Sequence, residues 1–278
     1  TSLCAAGSAY ATNGYYTHGT GTKNKAMAGS GIALPEDAID VTNNPAVAPF
    51  VGDQLVFGAA LFSPVRKYQT TDSMANGQCF PGMGCAFTIG PNDLKSDSDY
   101  FVIPHIAKSW QLANDAAWAL SFYGRGGMNT DWKGGTASFD PDGPGGEDPV
   151  TLDGTYGAGK TGVNLNQAFF DITWAKKLNE KLSLGVSAVL VAQMFKANGV
   201  GSFAAYTETF AASGGTVMPT SLSNNGNDWS FGAGLKVGLH SPISDKFSLG
   251  LMYQTKIWMG EFDDYSDLFA EQGDMDIP

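Results

Sequence analysis

The chain reads Trp229-Ser230-Phe231-Gly232-Ala233-Gly234-Leu235-Lys236-Val237-Gly238-Leu239, and after a short break Phe247-Ser248-Leu249-Gly250-Leu251-Met252-Tyr253-Gln254-Thr255-Lys256-Ile257-Trp258-Met259. Apolar residues take alternate positions in both arms. Successive side chains of a strand point to opposite faces, so each arm has one greasy face and one small or polar face. The greasy rows are expected to be Trp229 to Leu239 in the first arm, and Phe247, Leu249, Leu251, Tyr253, Thr255, Ile257 and Met259 in the second. The break, Ser241-Pro242-Ile243-Ser244-Asp245, joins the arms into an antiparallel hairpin. A soluble sandwich packs bulk inward and shows charge to water. Here the lean face carries Gly, Ser, Gln and Lys, as on a strand with lipid on its greasy side and a lumen on the other. A soluble antiparallel sheet is the rival reading of the hairpin taken alone.

The 278 residues carry a net charge of −11, with 36 glycines, 12% aromatics and only 15% charged residues. That composition favours strands and turns over helices. No apolar run approaches the ~20 residues of a membrane helix, whereas a membrane strand needs only ~9–11 residues of alternating character. A mean hydropathy of −0.11 is therefore compatible with a membrane barrel. The acidic balance argues against a nucleic-acid partner, which requires clustered Lys and Arg.

Residues 1–11 resemble the end of a secretory signal peptide, with Ala9-Tyr10-Ala11 as the small-x-small cleavage site. The chain ends just after a loop, with no closing strand, and reads as a fragment of a longer precursor. Removal of the signal segment would take Cys4 with it. Cys79 and Cys85 then remain, in Cys79-Phe80-Pro81-Gly82-Met83-Gly84-Cys85; the Pro and Gly between them allow a tight loop closed by a disulfide.

Residues 12–50 do not alternate and have too little bulk for a core of their own. They form either a disordered leader or a compact segment packed inside something else. Strands are expected over 54–66, 100–110, 118–125, 163–175, 182–195, 229–240 and 247–259. Pro104 marks an interruption or bulge in the second, because proline cannot donate to a ladder. The connections after the second, fourth and sixth strands are short. Those after the first, third and fifth are long, including polar stretches over 126–161 and 196–226. A sandwich has no reason to gather its long loops at one end; outer-membrane barrels have short periplasmic turns and long extracellular loops. Seven strands leave a barrel incomplete, since an open edge cannot sit in hydrocarbon and single-chain bacterial barrels usually have an even strand number.

Asn13-Gly14-Tyr15-Tyr16, His18-Gly19, Gly21-Thr22-Lys23, Ala28-Gly29-Ser30-Gly31-Ile32-Ala33 and Asn44-Pro45-Ala46 resemble the N-terminal hatch of the FadL/TodX (OmpP1) family. Leu182-Ser183-Leu184-Gly185 and Phe247-Ser248-Leu249-Gly250 resemble strand starts in that family, and the match runs in order through the chain. The resemblance implies an all-β fold: an antiparallel transmembrane barrel of fourteen strands, half of them here, with the hatch inside the lumen. It divides the chain into a signal remnant (1–11), a hatch (12–50) and a partial barrel (51–278). It also implies passive uptake of long-chain fatty acids or aromatic and aliphatic hydrocarbons across a Gram-negative outer membrane. Hatch movement and an inward strand kink would let cargo leave sideways. A single-chain barrel of this kind is expected to be a monomer facing outer-membrane lipid and lipopolysaccharide.

The resemblance makes Gly29, Gly31, Asn44, Pro45 and Ala46 hatch residues; Asn-Pro is also a common turn dipeptide. Phe203, Tyr206 and Phe210, and then Leu268 and Phe269, recur at helical spacing in the third and fourth long loops. There the family carries helices that form a first hydrophobic groove, so these are candidates for ligand capture. Arg125, Lys236 and Lys256 fall on the expected lumen face, where a cation can fix a carboxylate head group. The competing assignment is internal pairing with Asp171, Glu36 or Asp37, in which case a neutral hydrocarbon is the expected cargo. The acidic run 140–148 lacks the spacing of a calcium loop and reads as a solvated loop. His18, His105 and His240 lie far apart, and no nucleophile–base arrangement, phosphate loop or metal cluster is evident, so neither enzyme activity nor a cofactor is expected. Two other functions compete: a structural or adhesive surface barrel, and a diffusion porin. A plug argues against the porin, as does a lumen face of Gly and Ser.

Overall fold

The computed structural model describes residues 16–71, 79–80, 84–85, 88–140, 149–269 and 273–277. Its main element is one antiparallel sheet of β1 (Gln54–Phe62), β2 (Phe101–Gln111), β3 (Ala116–Trp132), β4 (Thr161–Asn179), β5 (Leu182–Asn198), β6 (Asp228–Ser244) and β7 (Phe247–Gln254). A two-residue β8 (Trp258–Met259) also pairs with β6. The seven long strands follow one another in chain order, a plain meander whose edges, β1 and β7, do not pair with each other. Short turns at 112–115, 180–181 and 245–246 lie at one end and the long connections at the other, in the expected phase.

The sidedness is the reverse of a water-soluble sheet. On β6, Trp229, Phe231, Leu235 and Val237 are exposed while Ser230, Lys236 and His240 are buried. On β5, Leu184, Val186 and Leu190 are exposed while Ser183, Ser187 and Gln193 are buried. The buried face is covered by residues from the 16–50 segment. Ala38 and Ile39 pack with Val56 and Ala107, and Val41, Val47 and Ala48 with Ala117, Ala119 and Ala175. The same segment reaches β5, β6 and β7 through Ser183, His240 and the backbone beside Gly250. The segment therefore crosses the whole width of the inner face, from β1 to β7.

Three expectations change, and a further one, the interruption at Pro104, is located. First, the second arm of the hairpin does not keep one phase. Lys236 pairs with Gln254 and Ala233 with Trp258, so residues 255–257 oppose only Gly234 and Leu235. One extra residue reverses every side chain beyond it. Ile257 is fully buried and bridges Ile277, Met259 packs beside it, and Trp258 is the outward residue. The outward row thus ends at Tyr253.

Second, the supposed break is mostly strand. β6 runs to Ser244, with Pro242 opposite Ser248 and a register shift between Pro242 and Ser244 that accommodates the proline. Pro104 causes no slip against β1, where Ala59 pairs with it in unbroken register. The interruption is on the other side: the β2–β3 ladder stops at His105↔Tyr123, one residue short of the proline. Third, the 126–161 stretch is not a plain loop. β3 and β4 continue into it as far as Trp132 and from Thr161. Val150–Asp153, Thr136–Phe139 and Thr88–Ile89 form a three-stranded sheet that ties two of the long connections together. Cys79 and Cys85 are opposed backbone partners; the expected disulfide rests on side chains outside the described residues, as do the signal segment and most of the acidic run.

Candidate functional site

Asn44 follows Asn43, the C-cap of the 3-10 turn Ala38–Thr42, and N-caps the 3-10 turn Pro45–Phe50. Its Oδ1 accepts from the Ala46 amide at 3.0 Å, and its Nδ2 donates to the carbonyls of Ile32 at 2.9 Å and Leu239 at 3.0 Å. One buried side chain therefore holds two parts of the N-terminal segment and strand β6. The Ser183 hydroxyl donates to the Ala46 carbonyl at 2.8 Å, and His240 Nε2 lies 3.1 Å from the Ala33 carbonyl.

The lean face is lean because backbone rests on it. A Cβ on Gly238 would collide with Asn44 Oδ1 and the Pro45 ring, and one on Gly185 with Pro45 and Ala46 backbone. A Cβ on Gly250 would come within 2.6 Å of the Ile32 carbonyl oxygen. Gly185 and Gly238 are direct cross-strand partners, and Gly250 lies opposite His240 on the next strand. Gly185 and Gly238 make the seat for Asn44-Pro45-Ala46, and Gly250 makes room for Ile32 and Ala33. Gly29, with φ +81°, follows the short helix Thr22–Ala26 and returns its amide to the Asn24 carbonyl. Gly31 leaves room for the Asn24 amide.

Deeper in the sheet, Lys236 Nζ donates to Asp171 Oδ2 at 2.9 Å and to the Thr42 carbonyl at 2.8 Å. The Tyr123 hydroxyl donates to the Asp171 carboxylate at 3.2 Å, and all three side chains have zero exposure. Lys236 is thus enclosed in an internal ion pair. Lys256 is turned over by the slip at 255–257; its side chain is half exposed and pairs with Asp276. Arg125 is the bulged residue of β3, between the pairs Gln167↔Gly126 and Ala168↔Gly124. Its guanidinium lies 5.4 Å from the Tyr16 ring centre and 6.0 Å from that of Phe169, and it makes no ion pair with a described residue. Its carbonyl accepts from the Thr17 amide at 3.0 Å, so the start of the N-terminal segment pairs with β3 where β2 has left it.

At the loop end, Phe262, Tyr265, Leu268 and Phe269 pack on Leu165 and Phe195 of β4 and β5. Phe203 and Tyr206 sit on the 3-10 turn Gly201–Tyr206 and Phe210 on the helix Glu208–Ala212, as the helical spacing suggested. The two sets of capture candidates do not make one greasy groove. Phe203 stacks edge-on against Tyr156, 5.3 Å away, and Tyr206 is 86% exposed. The space between the loops is a cavity of about 490 Å³ lined by Glu208, Thr209, Glu261, Asp263 and Asp267, with Phe269 and Ala212 as its main apolar wall.

Sequence reasoning named Asp171 only as one alternative partner for the lumen cations and missed Tyr123, Thr42 and the glycine seat. Gly185 and Gly238 carried a signal, since both fall on the lean face just beside a short turn. Nothing local marked Tyr123 or Thr42.

A family model described as outer membrane protein transport protein (OMPP1/FadL/TodX) matches residues 2–275. The chain belongs to this family of bacterial outer-membrane transport proteins for hydrophobic compounds. Among solved structures it resembles the toluene transporter TbuX of Ralstonia pickettii, at 17% identity and a TM-score of 0.56, covering 87% of this chain and 58% of that one. It also resembles the TodX ΔS2S3 mutant, a monoaromatic hydrocarbon channel, at 18% identity and a TM-score of 0.60, covering 88% and 56%. A FadL homologue of Pseudomonas aeruginosa matches at 17% identity and a TM-score of 0.55, covering 88% and 53%. These likenesses establish a common fold. The chain spans between 53% and 58% of the length of these structures. No curated protein matches it.

Proposed function

We propose that the protein lets neutral hydrophobic molecules cross the outer membrane down their gradient, with residues 12–50 as a hatch in the lumen. In this reading the open sheet closes into the fourteen-stranded barrel of its family with further strands. The observation that carries the reading is the pairing of a bare greasy outer face with an inner face of glycines on which Asn44-Pro45-Ala46 rests. A diffusion porin needs an open water path, and this seat fills it. A Cys79–Cys85 disulfide would brace the first long connection.

The cargo preference follows from the cations. A carboxylate head group needs a charged donor to replace its water. Lys236 and Lys256 already hold carboxylates; Arg125, over two aromatic rings, is the one of the three with no acidic partner among the described residues and the one that an acidic cargo would have to use. A neutral hydrocarbon needs only apolar walls. Initial capture would fall to the loop end, where Phe269 and its cluster present apolar surface beside the 490 Å³ cavity. The exit is the place where β2 and β3 part above His105↔Tyr123, with the bulge at Arg125 on its rim.

The test is uptake of labelled toluene and of a labelled long-chain fatty acid by cells expressing the protein from its natural gene. Toluene uptake well above that of cells lacking the protein, with little fatty-acid uptake, is expected. Uptake of both at control level would favour a structural or adhesive barrel. Fatty-acid uptake abolished by Arg125→Gln would make the cargo an acid.

A further inference from the structure

We infer that Thr42, Lys236, Asp171 and Tyr123 form a polar relay through which seating of the N-terminal segment holds β2 and β3 together up to His105↔Tyr123 and so limits the separation beyond it. The inference rests on the hatch and side-exit reading and adds the residues that would couple the two.

The chain of contacts is continuous. The Thr42 carbonyl accepts from Lys236 Nζ, which also donates to Asp171, which accepts from the Tyr123 hydroxyl. Its first member belongs to the N-terminal segment. Its last is the final β3 residue still paired with β2, immediately before Gly124 and the bulged Arg125. The Tyr123 ring also stacks on Phe169, at 5.4 Å and 17°, and the Arg125 guanidinium lies over that same ring. The relay therefore spans from the segment on the inner face to the rim of the separation, across β6, β4 and β3.

Burying an ion pair costs most of what its attraction returns, and well-packed apolar residues would often hold the fold as firmly. What such a pair adds is directional: it is satisfied in one arrangement of its neighbours. Lys236 has three N–H donors, and two of them are directed at Thr42 and Asp171. When the segment lifts, the Thr42 carbonyl leaves, and a buried ammonium must reorient or admit water. Asp171 then turns with it and releases Tyr123. Coupling of this kind is reciprocal, so a wall that cannot hold Tyr123 must also loosen the segment.

Reciprocity supplies the test. Tyr123→Phe keeps the ring and removes only the hydroxyl, and Tyr123 makes no hydrogen bond to residues 38–50. Amide hydrogen exchange is followed by mass spectrometry on the full protein in lipid nanodiscs, over a peptide covering 38–50. Exchange there is expected to speed up about fivefold in Tyr123→Phe, the worth of one hydrogen bond. Lys236→Met should act at least as strongly, and the double variant should add little to it, as members of one network do. Unchanged exchange at 38–50 in Tyr123→Phe would overturn the relay, as would effects of the two variants that simply multiply. A peptide from the three-stranded sheet, over Thr136–Phe139, lies outside these contacts, serves as the folding control and should not change. The readout is independent of cargo: if coupling is found while uptake is absent, the transport reading falls and the relay stands.

Discussion

At the short-turn end of the sheet the N-terminal segment meets glycine and alanine; at the long-loop end the 262–269 segment meets phenylalanine. In the first region backbone lies on backbone. Asn44 satisfies both halves of its amide there, and a single Cβ on Gly238 or Gly185 would collide with the segment. In the second, Phe195 touches Phe262, Tyr265 and Phe269 with ring centres 5.0–5.5 Å apart, beside an open acidic cavity. Backbone packing with fixed hydrogen bonds tolerates one arrangement. Ring-on-ring packing at an open surface tolerates several. Under the function proposed above, the difference suits a fixed stopper below and an adaptable entrance above.

The largest effect should come from the seat's centre. Asn44→Ala strands three backbone partners, at about 1 kcal/mol each, and should lower unfolding stability by about 3 kcal/mol in a urea titration of the detergent-solubilised protein. A loss below about 1 kcal/mol would mean that the seat is no tighter than the loop cluster.

Next comes pH. Burial pushes the Asp40 carboxyl up to about 6, against the amides of Glu36 and Asp37 that bind its ionised form at 2.8 and 2.9 Å. The folded state thus holds a proton that the unfolded chain releases between its ordinary value of 3.8 and about 6. This group's contribution to stability is full below 3.8 and falls as pH rises through that window, by at most about 3 kcal/mol, then stays level above it. Asp40→Asn should flatten that part of the pH–stability profile. The loop cluster has no counterpart, so hydrogen exchange over residues 262–269 should not follow the same curve.

Gly238→Ala should cost about 2 kcal/mol by overpacking, whereas Gly214, whose added Cβ would meet nothing within 4 Å, should accept alanine with strain from its backbone alone. Phe269→Ala is the smallest change. About 1 kcal/mol is expected for a half-buried ring, with slower toluene uptake at low concentration and no change in exchange over 38–50. Equal effects of Phe269→Ala and Asn44→Ala on that exchange would erase the distinction between the two ends.

Much of the fold was legible because its signal is local. Alternation in β5 and β6 named the outward rows, and the lengths of the connections named their ends. The residues seated on the inner face were legible through the Asn44-Pro45-Ala46 motif. The cations were not. Lys236 and Lys256 look alike in the sequence, each on a strand one residue from an outward side chain. A three-residue opposition at 255–257 turned one of them over. Phe203, Tyr206 and Phe210 lie on helical turns as expected, whereas Leu268 and Phe269 follow the 3-10 turn Asp263–Tyr265, and the acidic side chains between the two loops required them to be seen together.

By itself the sequence determined which face of β5 and β6 is greasy, the order of the strands and the family, since a period of two and a short motif need no distant partner to be read. Only the tertiary structure decided that Ile257 turns inward to meet Ile277, that Lys236 closes on Asp171 and Thr42, and that the interruption at Pro104 falls on the β3 side and not the β1 side. Each of those outcomes is set by what lies opposite once the sheet has formed. The Lys236 contacts join residues 65 and 194 positions apart, a separation no local pattern can encode.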